Sequence, residues 1–108
     1  AEFWEADGAA DGRRDALRAR LEGRGHAVAD GPAALDASLL ELAGSDARAL
    51  LVSLEDMWWE REPQNVPGTT TEHPNWRRLA RYGVDELDAV PELAPRLRRI
   101  ADARRSPR

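Results

Sequence analysis

Cysteine is absent from this chain of 108 residues. That absence excludes a disulfide framework and a thiolate metal site. Lysine is missing too, and all sixteen basic residues are arginine, a usage that reflects coding bias in a GC-rich genome more than chemistry. No apolar run approaches the roughly 20 residues needed to cross a bilayer. There is no internal repeat and no low-complexity stretch. A cytoplasmic, soluble protein with no membrane partner is therefore expected. The net charge of −4, with Asp and Glu interleaved among the arginines, argues against a nucleic-acid partner. The single methionine is Met57, and Ala1-Glu2-Phe3-Trp4 opens without a helix cap or targeting signal, as though cut from the middle of an element. A piece of a longer protein is the expectation, with a trimmed small domain as the alternative.

Ala1 to Asp7 reads as a short helical turn closed by Asp7-Gly8. From Asp11 to Glu22, Ala16, Leu17, Ala19 and Leu21 form one broad stripe flanked by arginines, which predicts an amphipathic helix stopped by Gly23 and Gly25. Asp30-Gly31-Pro32 is suited to start a second helix, running from about Ala33 to Ala43 with Leu35, Leu39, Leu40 and Leu42 at near-helical spacing and Gly44-Ser45 as its stop. Then the period changes. Ala47 to Leu54 is a short apolar run between a helix stop and an acidic pair, and it predicts a parallel strand near 48–54 buried on both faces. Asn75 is placed to cap a helix over Arg77 to Tyr82 that ends at Gly83. A further start lies at Val84-Asp85-Glu86-Leu87, and Pro91 divides it from a final helix around Glu92 to Ala103, where Leu93, Leu97 and Ile100 make one apolar seam. Ser106-Pro107-Arg108 is expected to fray.

Between the predicted strand and these last helices stands the most informative stretch of the chain. Glu62 to Arg78 holds three prolines, a Pro-Gly dipeptide, two asparagines and three successive threonines. Such a composition suits neither a helix nor a central strand, so it predicts a long, chemically specified loop of the kind that serves a site.

The segments Leu51-Val52-Ser53-Leu54-Glu55-Asp56-Met57-Trp58, Glu62-Pro63-Gln64-Asn65-Val66-Pro67-Gly68-Thr69 and His73-Pro74-Asn75-Trp76-Arg77-Arg78 together resemble the C-terminal signature of the 4-alpha-glucanotransferases (amylomaltase, or disproportionating enzyme), glycoside hydrolase family 77. The resemblance implies an α/β fold, a (β/α)8 barrel of roughly 250 residues. Residues 1–108 would be its C-terminal portion, mostly helical with the one strand, and not a complete domain. It implies transfer of 1,4-alpha-glucan segments to glucose or to another glucan with retention, so an alpha-glucan or maltooligosaccharide substrate and a glucose acceptor are the expected partners. Retention uses carboxyl groups about 5–5.5 Å apart on either side of the scissile bond. The family's three catalytic acids are not assigned to any residue here, the family's stabilising Asp lying in a Thr-His-Asp type motif shortly before a segment similar to Ala1-Glu2-Phe3-Trp4. The chain alone is expected to be inactive.

Among individual residues, Asn65, Pro67 and Gly68 are the candidate substrate contacts. An amide offers donors and an acceptor for sugar hydroxyls, and a Pro-Gly turn lets backbone approach a ligand; the plainer reading is a turn that holds only itself. Glu55-Asp56 invites an acid/base role, but a carboxylate capping the turn that begins at Met57 is favoured. Four tryptophans are dense for this length. Trp4, Trp58, Trp59 and Trp76 could each stack on sugar, although tryptophan is most often simply buried; Trp76 is expected to contribute least, as the start of a packed helix. His73 is expected to hydrogen-bond within the loop. His26 and His73, without a third ligand, do not make a metal site, and no cofactor is called for. The competing functions are a non-catalytic helical interaction module and a related alpha-glucan hydrolase barrel.

Overall fold

A computed structural model describes residues 11–105. The stretch Ala1 to Asp7, with Trp4, and the terminal Ser106-Pro107-Arg108 lie outside the described residues. The elements in chain order are α1 (Asp11–Gly23), α2 (Gly31–Ala43), a single helical turn α3 (Leu54–Met57), a 3-10 helix (Val84–Ala89) and α4 (Leu93–Arg105).

Local chemistry explains where the helices begin and end. Asp30, in extended conformation, caps α2 by accepting from the Ala33 backbone N–H at 2.9 Å, and Pro32 sits in the first turn, where its missing donor costs nothing. Gly44 closes α2, its N–H donating to the carbonyl of Leu40 at 3.1 Å. Before the 3-10 helix, the Glu86 carboxylate accepts from the Gly83 N–H at 3.1 Å, which satisfies a donor the helix leaves open.

α2 packs against both α1 and α4, and the 3-10 helix packs on α4. Two apolar clusters result. In the first, Leu21 of α1 meets Val28 of the connecting turn and Ala34 and Ala37 of α2, with Leu17 alongside; the small alanines bring the two helices close. In the second, Leu39, Met57, Val90 and Leu93 are buried, and Leu35, Val52, Trp58, Tyr82, Leu87, Leu97 and Ile100 pack around them. Met57 is the largest side chain that is fully enclosed among the described residues. Arginines stitch the α4 side to the rest. Arg96 donates to the Met57 carbonyl, and Arg104 reaches the carbonyls of Ala43 and Arg48 at 3.4 and 3.2 Å.

Two expectations are corrected. No strand is found among the described residues: residues 46–53 have no regular pairing, and the chain enters α3 at Leu54. A strand is stable only when a neighbour takes its backbone N–H and C=O groups, and none of the described segments is placed to do so. Leu51 is accordingly 93% exposed instead of buried on both faces. The described fold is therefore helical, without the sheet of an α/β protein. The helix expected over Arg77 to Tyr82 is absent as well. Its supposed cap, Asn75, spends its side chain inside the loop, and Trp76 adopts a left-handed φ of 59° that does not start a right-handed helix. The expected helices at 11–22, 33–43 and 92–103 are present within a residue or two.

Candidate functional site

The stretch from Trp58 to Gly83 has almost no regular structure beyond turns, so its shape depends on side chains bonding to backbone. Two polar networks do this work. The first centres on Arg78. Its Nη2 pairs with Glu55 Oε2 on α3, and its Nη1 lies 3.4 Å from Glu60 Oε1 and donates to the Leu79 carbonyl at 3.1 Å. Gln64 completes it by donating to Glu55 Oε1 and to the Arg78 carbonyl, each at 3.0 Å. Glu60 is further held by Arg81, at 3.2 Å from its other oxygen. The two limbs of the loop, at Gln64 and at Arg78, are thus tied to each other and to α3.

Electrostatics follow from that geometry. Burial alone would raise the Glu55 carboxyl, but the hydrogen bonds from Arg78 and Gln64 and the neighbouring positive charge outweigh it, so the group stays below its ordinary pKa. The hydrogen bond to Glu55 raises the Arg78 guanidinium against its own burial, helped by the charges of Glu55, Glu60 and Glu62. Glu55 therefore remains an ion with both oxygens occupied, a poor proton donor. Of the pair Glu55-Asp56, Glu55 is not the carboxylate that caps the turn at Met57, because it bonds to Arg78 and Gln64 and not to the backbone of that turn.

The second network centres on Asn75. Its Oδ1 accepts from the Val66 N–H at 2.8 Å and from His73 Nδ1 at 2.7 Å, while its Nδ2 donates to Thr69 Oγ1 at 2.8 Å. His73 is thus a hydrogen-bonding residue of the loop, as its position predicts. Val66-Pro67-Gly68-Thr69 forms a tight turn closed by Thr69 N–H donating to the Val66 carbonyl at 3.2 Å. Gly68 takes φ 86°, the left-handed value a turn of this type demands at its third residue, with proline before it.

Around the first network the surface is concave. A cleft of about 430 Å³ is lined by Ser53, Glu55, Asp56, Glu60, Glu62 and Gln64, together with Arg61, Pro63, Asn65, Trp76 and Arg78. Asn65 lies on this wall and is exposed. Pro67 and Gly68 do not line it, being exposed in the neighbouring turn. Of the tryptophans, Trp58 packs edge-on against Tyr82 with ring centroids 5.1 Å apart, as a core residue does. Trp59 is half-buried at φ 57°. Trp76, expected to start a helix packed on the body, is instead 73% exposed on the cleft. The sequence singles out neither Gln64 nor Arg78, because their partners lie on segments that approach only after folding. Among the described residues no group of His, Asp and Glu could hold a metal ion, and no helix is long and apolar enough to cross a membrane.

A family model described as 4-alpha-glucanotransferase, glycoside hydrolase family 77, matches residues 1–83. The chain belongs to this glucanotransferase family. The match takes in α1 to α3, both polar networks and the whole cleft lining, and it ends at Gly83, where the 3-10 helix begins. Membership in the 4-alpha-glucanotransferase family implies alpha-glucan substrates. No curated protein and no solved structure matches the chain.

Proposed function

We propose that the chain is the C-terminal part of a (β/α)8 catalytic barrel, in an enzyme that moves 1,4-alpha-glucan segments to glucose or another glucan with retention. The observation that carries this reading is the family match over the segment that builds the cleft. Residues 54–78 would form one wall of the sugar groove, with the nucleophile, the acid/base and the stabilising carboxylate supplied from elsewhere in the parent enzyme. The chemistry of the wall supports that division. Glu55 and Glu60 each have both carboxylate oxygens engaged, by Arg78 and Gln64 and by Arg78 and Arg81, and Glu55 is held below its ordinary pKa, the opposite of what a general acid requires.

Asn65 would meet sugar hydroxyls directly, since its amide is exposed on the cleft and has no side-chain hydrogen bond among the described residues. Pro67 and Gly68 would act at one remove, fixing the turn that follows Asn65 and so the edge of the wall. A transferase has to seat an acceptor sugar where water would otherwise attack, and a wall braced from both ends excludes water without having to order on binding.

The test is redistribution of maltotriose. The intact enzyme should convert it into shorter and longer maltooligosaccharides, and the 108-residue chain alone should leave it unchanged. In the intact enzyme Asn65→Ala should raise KM and shift products from transfer toward hydrolysis. An intact enzyme that only hydrolysed maltotriose would favour a related alpha-glucan hydrolase.

A further inference from the structure

Trp76 combines three properties that core residues do not share. Its indole is 73% exposed, its backbone is held at φ 59°, and it lines the cleft whose other walls are almost entirely polar. Left-handed backbone is uncommon for a bulky aromatic residue and persists only where the surroundings impose it. Here they do. The Trp76 N–H donates to the Gln64 carbonyl at 2.6 Å, the Gln64 side chain is fixed on Glu55 and the Arg78 carbonyl, and Asn75 on the other side is locked by Val66, His73 and Thr69. Both polar networks therefore converge on the one residue between them.

Other exposed apolar residues differ. Leu51, Leu79 and Val84 are 93%, 88% and 89% exposed, and none of them lines this cleft. A flat aromatic face bordered by carboxylates, an amide and a guanidinium is the pattern that receives a pyranose ring. The indole covers the apolar C–H face of the sugar, and the polar groups bond its equatorial hydroxyls.

We propose that Trp76 is a stacking platform for one glucosyl ring of the glucan, and that Asn65 and Glu62 are positioned to engage that ring's hydroxyls. The proposal rests on the glucan-transfer reading and names a binding residue for it. Glu55, Gln64 and Arg78 are positioning residues, acting on the sugar only through the orientation of Trp76. The cost of the left-handed backbone is then met before substrate arrives, so the platform needs no rearrangement on binding.

Two substitutions of the intact enzyme separate stacking from simple apolar contact. Trp76→Phe keeps a flat face, whereas Trp76→Leu keeps apolar bulk without one. With maltotriose as donor, KM for Trp76→Leu should rise about three- to tenfold, the range expected for losing one aromatic contact, and Trp76→Phe should stay within about twofold of the parent. Titration with maltotriose should also change the tryptophan emission of the parent enzyme, and that component should be missing in both variants. Equal KM values for the two variants, or an emission change that survives in Trp76→Phe, would overturn the proposal and leave Trp76 as a packing residue. A parent enzyme inert on maltotriose would instead remove the glucan reading beneath it.

Discussion

The helical body and the loop from Trp58 to Gly83 are stabilised by different physics. In the body, α1, α2 and α4 close over two apolar clusters, and the contacts are non-directional. In the loop, the Gln64 and Arg78 side chains donate to backbone carbonyls and the Asn75 side chain accepts from the Val66 N–H, fixing the backbone one group at a time. The difference teaches that a loop can be well defined without a core of its own, provided each polar contact has direction. The two regions should therefore fail under different insults.

The largest effect is expected in the body. Met57→Ala opens a cavity under α3 in the second cluster and should cost about 2–5 kcal/mol, read as a fall in the urea midpoint with little change in slope. Since α3 also carries Glu55, loosening of the loop should be confined to that anchor. Loss of protection throughout the loop, Val66 and Thr69 included, would break the comparison.

Asn75→Ala is the converse. It strands the Val66 N–H, at a cost of about 1–3 kcal/mol for a donor left without a partner, while the Thr69 hydroxyl keeps its bond to the Val66 carbonyl. Hydrogen exchange should quicken at Val66 and Thr69 while the amides of α2 and α4 keep their protection. Uniform quickening across both regions would show that they unfold as one unit.

The smallest effect is electrostatic. The folded pKa of Glu55 is lowered, so its contribution is fully present above the unfolded carboxyl value, near 4.5, and is lost as pH falls through the folded value. Exchange at residues 62–65 and 76–79 should rise in acid before the helices respond. Glu55→Gln should abolish that step, and a step that remained would have to belong to Glu72 or Glu41, whose carboxyls are also lowered. Glu72 is lowered first by its own backbone N–H and then by Thr70, and Glu41 first by its hydrogen bond with His26.

The same contrast explains what was legible in the sequence. Helix limits could be read because Asp30, Pro32 and Gly44 act on neighbours a few residues away. The loop was legible from Pro63, Pro67, Gly68 and Pro74, which exclude alternatives locally. The strand near 48–54 was misread because an apolar run shows only that a segment wants cover, and strand formation depends on a pairing partner that no local pattern reveals. The helix at 77–82 was misread because Asn75 can cap or brace, and Val66, nine positions back, decides which. Of the cleft, Asn65 was visible from its motif. Arg78 and Gln64 were not, since the Glu55–Arg78 pair joins residues 23 positions apart.

The family match stops at Gly83, yet Leu87, Val90, Leu93, Leu97 and Ile100 come after it and supply half the cushion beneath Met57. The seat of the shared motif is thus built from a segment the shared pattern does not specify. A substitution in that tail, far along the chain from the cleft, would therefore retune the pitch of the Glu55 turn without altering a single residue of the cleft lining.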